Sequence, residues 1–281
     1  MSEQGHRRWM ITGVSTGLGR ALMDAALERG EKVVGTARQV DSCNELEARW
    51  PDQARIIPLD VTDARSAMDA VAQAADWLGG IDVLVNNAGI GVFGTVEACS
   101  VEDFAHAMDV NYYGLLRVTR PALVHLRASH GTLVNVASMA GFLGFGGTSA
   151  YAASKHAVVG VSESLSEELA PHGVKVIIPM PGGFRTNFWS PQSNIIREGL
   201  SDIYGTYPCG QIGERSQQHV GHEMGDPVKY ANALIDAVYS ENPPLYYVFG
   251  GDALEYVGLQ RDAMVAELDA HRSVGLATAY D

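Results

Sequence analysis

Tyr151 and Lys155 stand four positions apart in the run Tyr151-Ala152-Ala153-Ser154-Lys155. On a helix, residues at this spacing share a face, so the ammonium can lie near the phenol and favour its ionised form. A phenol pKa of about 10 then moves toward working pH, where the group can give or take a proton. Such pairs are ordinarily surface contacts. Here the stretch from Gly131 to Ser154 is uncharged and rich in glycine, and Ser138 within it ends an apolar run, which favours a chemical reading. A second segment lies near the start, where Thr12-Gly13-Val14-Ser15-Thr16-Gly17-Leu18-Gly19 follows Trp9-Met10-Ile11. Glycines in such a turn let backbone approach a pyrophosphate, and the N-terminus of a following helix attracts negative charge. The same glycines could form an ordinary tight turn, so their meaning depends on a strand before them and a helix after.

The surrounding sequence supplies that context. Trp9 to Ile11 reads as a strand, and Leu18 to Arg29 as a helix with Leu22, Ala25 and Ala26 on one side and Gly30 as its stop. Further strands are expected at Lys32–Thr36, Arg55–Leu59, Ile81–Val85, Thr132–Val136, Val174–Ile178 and Leu245–Phe249. Between them lie helical segments, among them a long one from about Val101 to Leu126 behind the capping-box spacing Ser100-x-x-Asp103. Others run from Tyr151 to Leu169 and, behind Asp226-Pro227, to Tyr239. Alternating strands and helices, with strands apolar throughout, imply one α/β domain over residues 1–281. Its expected form is a single Rossmann-type, doubly wound parallel sheet of about seven strands, with helices on both faces. After the sixth strand, residues 184–225 have weak periodicity and several Gly, Pro and Ser, which predicts a lid-like insertion over the carboxyl ends of the strands. A C-terminal helix is expected over about 252–272, with Leu254, Val257, Met264, Val265 and Leu268 broadly on one side, packed on the sheet or on a neighbour.

Composition narrows the function classes. In 281 residues, 46% are hydrophobic and 19% charged, an ordinary globular balance. A net charge of -13 without any Lys/Arg-rich run disfavours nucleic-acid and membrane binding. Cys43, Cys99 and Cys209 are too few and scattered for a disulfide framework or a metal site, which points to free thiols in a reducing cytoplasm. Arg7-Arg8 has no apolar export segment behind it.

The turn spacing T-G-x-x-x-G-x-G resembles that of the classical short-chain dehydrogenase/reductase family, and further motifs follow in the family's order. Asn86-Asn87-Ala88-Gly89 matches N-N-A-G, Asn111 lies in the next helix, Ser138 ends the fifth strand, Tyr151 to Lys155 matches Y-x-x-x-K, and Pro181-Gly182 with Thr186 completes the set. The resemblance covers about Arg8 to Tyr239. It implies a metal-free enzyme that moves a hydride between nicotinamide and a carbonyl or alcohol carbon. Tyr151 would exchange the proton, Ser138 would hydrogen-bond the reacting oxygen, and Lys155 would hold the nicotinamide ribose. Asn111 would bind a water linking Lys155 to solvent, or else satisfy nearby backbone. Gly13, Ser15, Thr16, Gly17, Leu18 and Gly19, together with Asn87, Ala88, Gly89, Pro181, Gly182 and Thr186, would form the dinucleotide site. Asp60-Val61 matches the family's adenine-contacting pair, and Asp60 could equally cap a helix. At the end of the second strand an acidic residue would bind the ribose 2′-hydroxyl of NAD. Arg38 stands there instead and could pair with the 2′-phosphate of NADP, which predicts NADP(H) as preferred and NAD(H) as possible. Arg38 could otherwise stack on adenine or face water.

For the substrate, Phe93, Phe142, Phe145, Phe188 and Trp189 could together line an apolar pocket, although each alone could be core. The expected substrate is a hydrophobic ketone, aldehyde or secondary alcohol. The glycine spacing argues against an epimerase or dehydratase on the same fold, and the Tyr-to-Lys spacing against an enoyl reductase. A non-catalytic dinucleotide sensor is the rival of a different class. The resemblance also implies a homodimer or homotetramer.

Overall fold

The computed structural model describes residues 6–191, 193–198 and 200–280. The ends of the expected 1–281 domain, and Gln192 and Gly199 of the expected 184–225 insertion, fall outside the described residues. Seven strands form the central sheet: β1 (Arg8–Thr12), β2 (Lys32–Ala37), β3 (Ala54–Pro58), β4 (Val83–Asn86), β6 (Thr132–Asn135), β7 (Lys175–Pro181) and β9 (Tyr246–Phe249). Two short strands, β5 (Gly91–Phe93) and β8 (Asn194–Ile196), pair in parallel apart from it. The central order is β3-β2-β1-β4-β6-β7-β9, and every pair in it is parallel. The order turns at β1 and β4, which opens a crevice beyond their carboxyl ends.

The helices are α1 (Gly17–Glu28), α2 (Asn44–Arg49), α3 (Ala64–Leu78), α4 (Val101–Met108), α5 (Gly114–Ser129), α6 (Ser149–Leu169), α7 (Ser201–Tyr204), α8 (Ile212–His219), α9 (Pro227–Tyr239) and α10 (Gly251–Leu276). They cover both faces because β1 alternates. Trp9 and Ile11 enter a core with Leu22 and Met23 of α1 and Leu234 and Val238 of α9, while Met10 faces Val71 of α3 and Val118 of α5. No described helix is long and apolar enough to cross a membrane.

Capping proceeds as the sequence suggests at two points. Ser100 accepts from the Asp103 amide at 3.2 Å while Asp103 accepts from Ser100 at 3.0 Å, and Asp226 accepts from the amides of Val228 and Lys229 ahead of α9. The expected continuous helix from Val101 to Leu126 is divided by one π-helical turn, Asp109–Tyr113, and runs on to Ser129. Such a turn inserts a residue without disturbing the hydrophobic spacing enough to be read from sequence.

The expected insertion is not featureless. Its pieces, β8, α7, α8 and two 3₁₀ turns at Asn187–Trp189 and Pro208–Gly210, are too short for periodicity to show. Arg197 ties it to the body by gripping Asp103 through Nη2 at 2.7 Å and Nε at 3.0 Å. That ion pair holds the Asp103 carboxyl down to about 2.

The C-terminal helix is longer than expected and packs little on its own sheet. Only Ala253 in α10 is buried, and Leu254, Tyr256, Leu259, Met264, Val265, Leu268, Val274 and Leu276 are all exposed around it. Its root meets β9 and the turn at Met139–Gly141, and the remainder leaves the body.

Candidate active site

The glycine turn and the turn after β4 are laced together. Thr12 Oγ1 accepts from the amides of Asn87 and Ala88, each at 3.0 Å, and Asn87 Nδ2 donates to the carbonyls of Thr12 at 2.9 Å and Gly13 at 3.0 Å. Two of the glycines are fixed by space. Gly13 has φ of +73°, and a Cβ there would lie 2.9 Å from Ala88 Cα. A Cβ on Gly19 would lie 2.2 Å from Asn87 Nδ2 and 2.4 Å from the Gly13 carbonyl. Gly19 therefore serves this close packing and does not itself line the cavity, whereas Gly13, Ser15, Thr16, Gly17 and Leu18 do. Thr16 begins α1 without a side-chain cap, leaving the first-turn N–H groups facing the crevice. Uncapped N–H groups beside bare backbone suit a pyrophosphate.

Along the same wall, Asn87, Ala88 and Gly89 follow β4, and Arg38, exposed, follows β2 beside Gln39. Asp60 and Val61 line the wall after β3. The two roles left open for Asp60 are separated by the structure, because Asp63 caps α3 by accepting from Arg65 at 2.7 Å and Ser66 at 3.2 Å. Asp60 instead accepts from Thr62 Oγ1 at 2.7 Å and its amide at 2.9 Å, which lowers its pKa, helped by the charges of Arg38 and Arg117.

Tyr151 and Lys155 occupy the first two turns of α6. Ser138 ends the extended segment after β6, where it accepts from the Ala140 amide at 3.2 Å and donates to the Pro181 carbonyl at 3.4 Å. Lys155 is 6% exposed and donates to the Val136 carbonyl at 2.9 Å, with Nζ 5.8 Å from the Tyr151 ring centroid. Burial pushes the Tyr151 phenol up to about 12, opposed by a hydrogen bond with Ser138. Burial also pulls Lys155 down to about 8. Residues four apart do share the face; the ammonium donates one of its three N–H groups to backbone, and removal of both groups from water opposes either charge.

Asn111 lies in the π turn and is 2% exposed. Its side chain donates to the Ile90 carbonyl at 3.0 Å and Ser154 Oγ at 2.8 Å, and accepts from the Ile90 amide at 2.8 Å. These bonds fix the segment after the Asn86–Gly89 turn to α6, which fits the backbone-satisfying alternative.

Around Tyr151 the aromatic residues form a ring, with Phe93 at 5.4 Å and Phe188 at 5.9 Å between centroids, and Trp189 at 4.9 Å from Phe93. Phe145 lines the cavity farther out. Phe142 is corrected: it packs on the core cluster of Leu115, Ala137 and Val158, because the 3₁₀ turn at Met139–Gly141 directs it toward the sheet. Pro181, Gly182 and Thr186 close the far wall, with Asp252 of α10 accepting from the Gly183 amide at 2.7 Å. One cavity of about 1950 Å³ is lined by the glycine turn, Arg38, Asp60, Asn87, Ser138, Tyr151, Lys155, Pro181, Gly182, Thr186 and the aromatic ring. Tyr204, Tyr207 and Ile212, within the expected insertion, and Tyr256 of α10 also line it, although spacing singled out none of them.

Comparison with known proteins agrees with this architecture. Residues 8–195 match the family model described as short chain dehydrogenase. The chain is 35% identical over 274 residues to oxidoreductase BOA17 of Botryotinia fuckeliana, covering 96% of this chain and 98% of that protein. A short-chain dehydrogenase from Streptomyces avermitilis superposes with a TM-score of 0.89 at 36% identity, over 98% of this chain and 100% of the other. A Burkholderia cenocepacia short chain dehydrogenase in complex with NADP gives 0.72 at 25% identity, over 94% and 97%. With the glycine cradle, the tyrosine helix and these relatives in agreement, the chain belongs to the short-chain dehydrogenase/reductase family, oxidoreductases that work with a nicotinamide dinucleotide.

Proposed function

We propose that this protein is an NADP(H)-preferring oxidoreductase that interconverts a ketone or aldehyde and the corresponding alcohol on a largely apolar small molecule. The observation that carries the reading is one cavity with an uncapped glycine turn at one end and the Ser138–Tyr151 pair inside an aromatic ring at the other.

A nicotinamide dinucleotide supplies the hydride when bound. The chain's own residues do the rest. Gly13 and Gly17 to Leu18 would hold the pyrophosphate, Asn87 to Gly89 and Asp60-Val61 the adenosine side, and Pro181, Gly182 and Thr186 the nicotinamide side. Ser138 Oγ would hydrogen-bond the substrate oxygen, and Tyr151 would give it a proton in reduction or take one in oxidation. Burial favours its neutral phenol, the form that donates in reduction. Lys155, charged below about pH 8 and buried next to that ring, would hold the nicotinamide ribose. Asn111 would hold the helix carrying both.

Arg38 supports NADP(H), since its exposed guanidinium has no acidic residue in the position that binds a 2′-hydroxyl. The nearby Asp60 charge offsets part of that advantage and leaves NAD(H) usable. Free Cys43, Cys99 and Cys209 support a cytoplasmic location, and family likeness supports a homodimer or homotetramer. The test is steady-state nicotinamide absorbance with purified protein, each cofactor and a carbonyl panel. NADPH-dependent reduction of apolar ketones or aldehydes is expected. Turnover of anionic substrates alone would overturn the substrate reading, and no turnover with either cofactor would overturn the whole.

A further inference from the structure

The cavity continues well past the aromatic ring. Beyond Phe93, Phe188 and Trp189 its outer wall is made by Phe145, Ile203, Tyr204, Tyr207, Ile212 and Tyr256. These come from three separate parts of the chain: the loop before α6, the insertion, and the root of α10. Phe145 and Tyr256 meet edge to face, with centroids 5.3 Å apart. Ile203 is 55% exposed, Tyr207 58% and Tyr256 43%, so these side chains form a rim and contribute little to the core.

A rim of apolar side chains held in water marks a binding surface rather than a folding need. The inner ring alone would enclose a small carbonyl compound. A cavity of about 1950 Å³ is roughly twice the upper end of a common single-ligand site, enough for a dinucleotide and a long second molecule. His106, Arg215 and polar residues such as Thr148, Asn187, Ser190 and Ser193 also line it, while Phe93, Phe188, Trp189 and the rim supply its aromatic and aliphatic carbon.

We infer that the substrate is an elongated apolar ketone or aldehyde. Its carbonyl lies at Ser138 and Tyr151, and its chain runs past Phe93 and Trp189 to the rim of Tyr207 and Tyr256. The inference rests on the carbonyl-reductase reading above. The C-terminal helix thus acts in substrate choice through its first turns.

The experiment measures kcat/KM with NADPH for straight-chain aldehydes and methyl ketones of about four to twelve carbons. Each added methylene should raise kcat/KM by up to about fourfold until the chain reaches the rim, since each buries fresh apolar surface. Tyr256→Ala and Tyr207→Ser should each reduce the ratio of the longest to the shortest substrate by about tenfold, and Tyr256→Phe should keep it. A misfolded variant would lose all substrates together, without changing that ratio. Turnover of short carbonyls with no dependence on length would overturn this inference and leave the carbonyl-reductase reading intact. Absence of turnover across the whole series would overturn both.

Discussion

The two ends of the cavity are built by opposite means. At the dinucleotide end, backbone meets backbone: the turn after β1 and the turn after β4 are joined by hydrogen bonds through Thr12 and Asn87, and Gly13 and Gly19 leave no room for a side chain. At the substrate end, Phe93, Phe145, Phe188, Tyr207 and Tyr256 arrive from distant stretches and touch through their rings or simply share the wall. The match to the family model ends at residue 195, so the outer rim lies almost wholly beyond it. A shared cofactor can be served by a fixed backbone, whereas a particular substrate can be served by exchangeable side chains.

The contrast is broken most severely at the junction between the ends. Tyr151→Phe should lower kcat by about 10²- to 10⁴-fold in both directions while dinucleotide affinity stays close to that of the unaltered protein. Binding measured by fluorescence titration alongside turnover checks this, and near-normal turnover would remove Tyr151 from the proton role.

Next comes the backbone end. Gly19→Ala places a methyl against Asn87 and the Gly13 carbonyl, so dinucleotide Kd should rise at least about tenfold and thermal stability should fall by about 1–3 kcal/mol. A much larger change at the exposed rim, Tyr207→Ser, should cost less stability than this single methyl, which calorimetry of the two variants would establish or refute.

A smaller effect is expected at the edge of the dinucleotide end. Arg38→Ala should erode NADPH affinity relative to NADH by about ten- to a hundredfold, the worth of one charge-assisted hydrogen bond. Equal loss for both cofactors would mean that Arg38 meets adenine or solvent instead.

The smallest effect concerns the tether of the insertion. The carboxyl of Asp103 is held down to about 2 by Arg197, below its ordinary value of 3.8. A depressed carboxyl stabilises the fold above the unfolded pKa, and that contribution fades as pH falls from about 4 toward 2. Asp103→Asn should therefore lower urea stability by about 1 kcal/mol at pH 7, with Arg197 half exposed and screened, and the gap should narrow near pH 3.

Much of the dinucleotide end was legible in the sequence, because strands of continuous apolar residues and glycines at fixed offsets leave local marks. The seven-stranded sheet, the capping box at Ser100 and the cavity positions of Ser138, Tyr151 and Lys155 all follow from such marks. The substrate end was poorly legible. Phe142 and Phe145 are three residues apart in one glycine-rich loop, yet one packs inward and the other faces the cavity. Their directions depend on a 3₁₀ turn and on Tyr256, far along the chain. The surroundings of the two charges were hidden for a related reason. Spacing brings Lys155 to the correct face, but only the folded backbone reveals Val136 as its acceptor and the depth at which both groups lie.

The position of β1 carries a consequence for synthesis. It precedes the other described strands in the chain, yet it lies inside the sheet between β2 and β4. Once residue 58 has emerged, β1, β2 and β3 can pair, but the other edge of β1 stays open until Val83–Asn86 arrives. During that interval the nascent chain displays an unpaired edge carrying Trp9, Met10 and Ile11, all fully buried in the finished protein. Ribosome pausing or premature termination between those points would release a fragment with exposed strand edges, a substrate for chaperones and for aggregation.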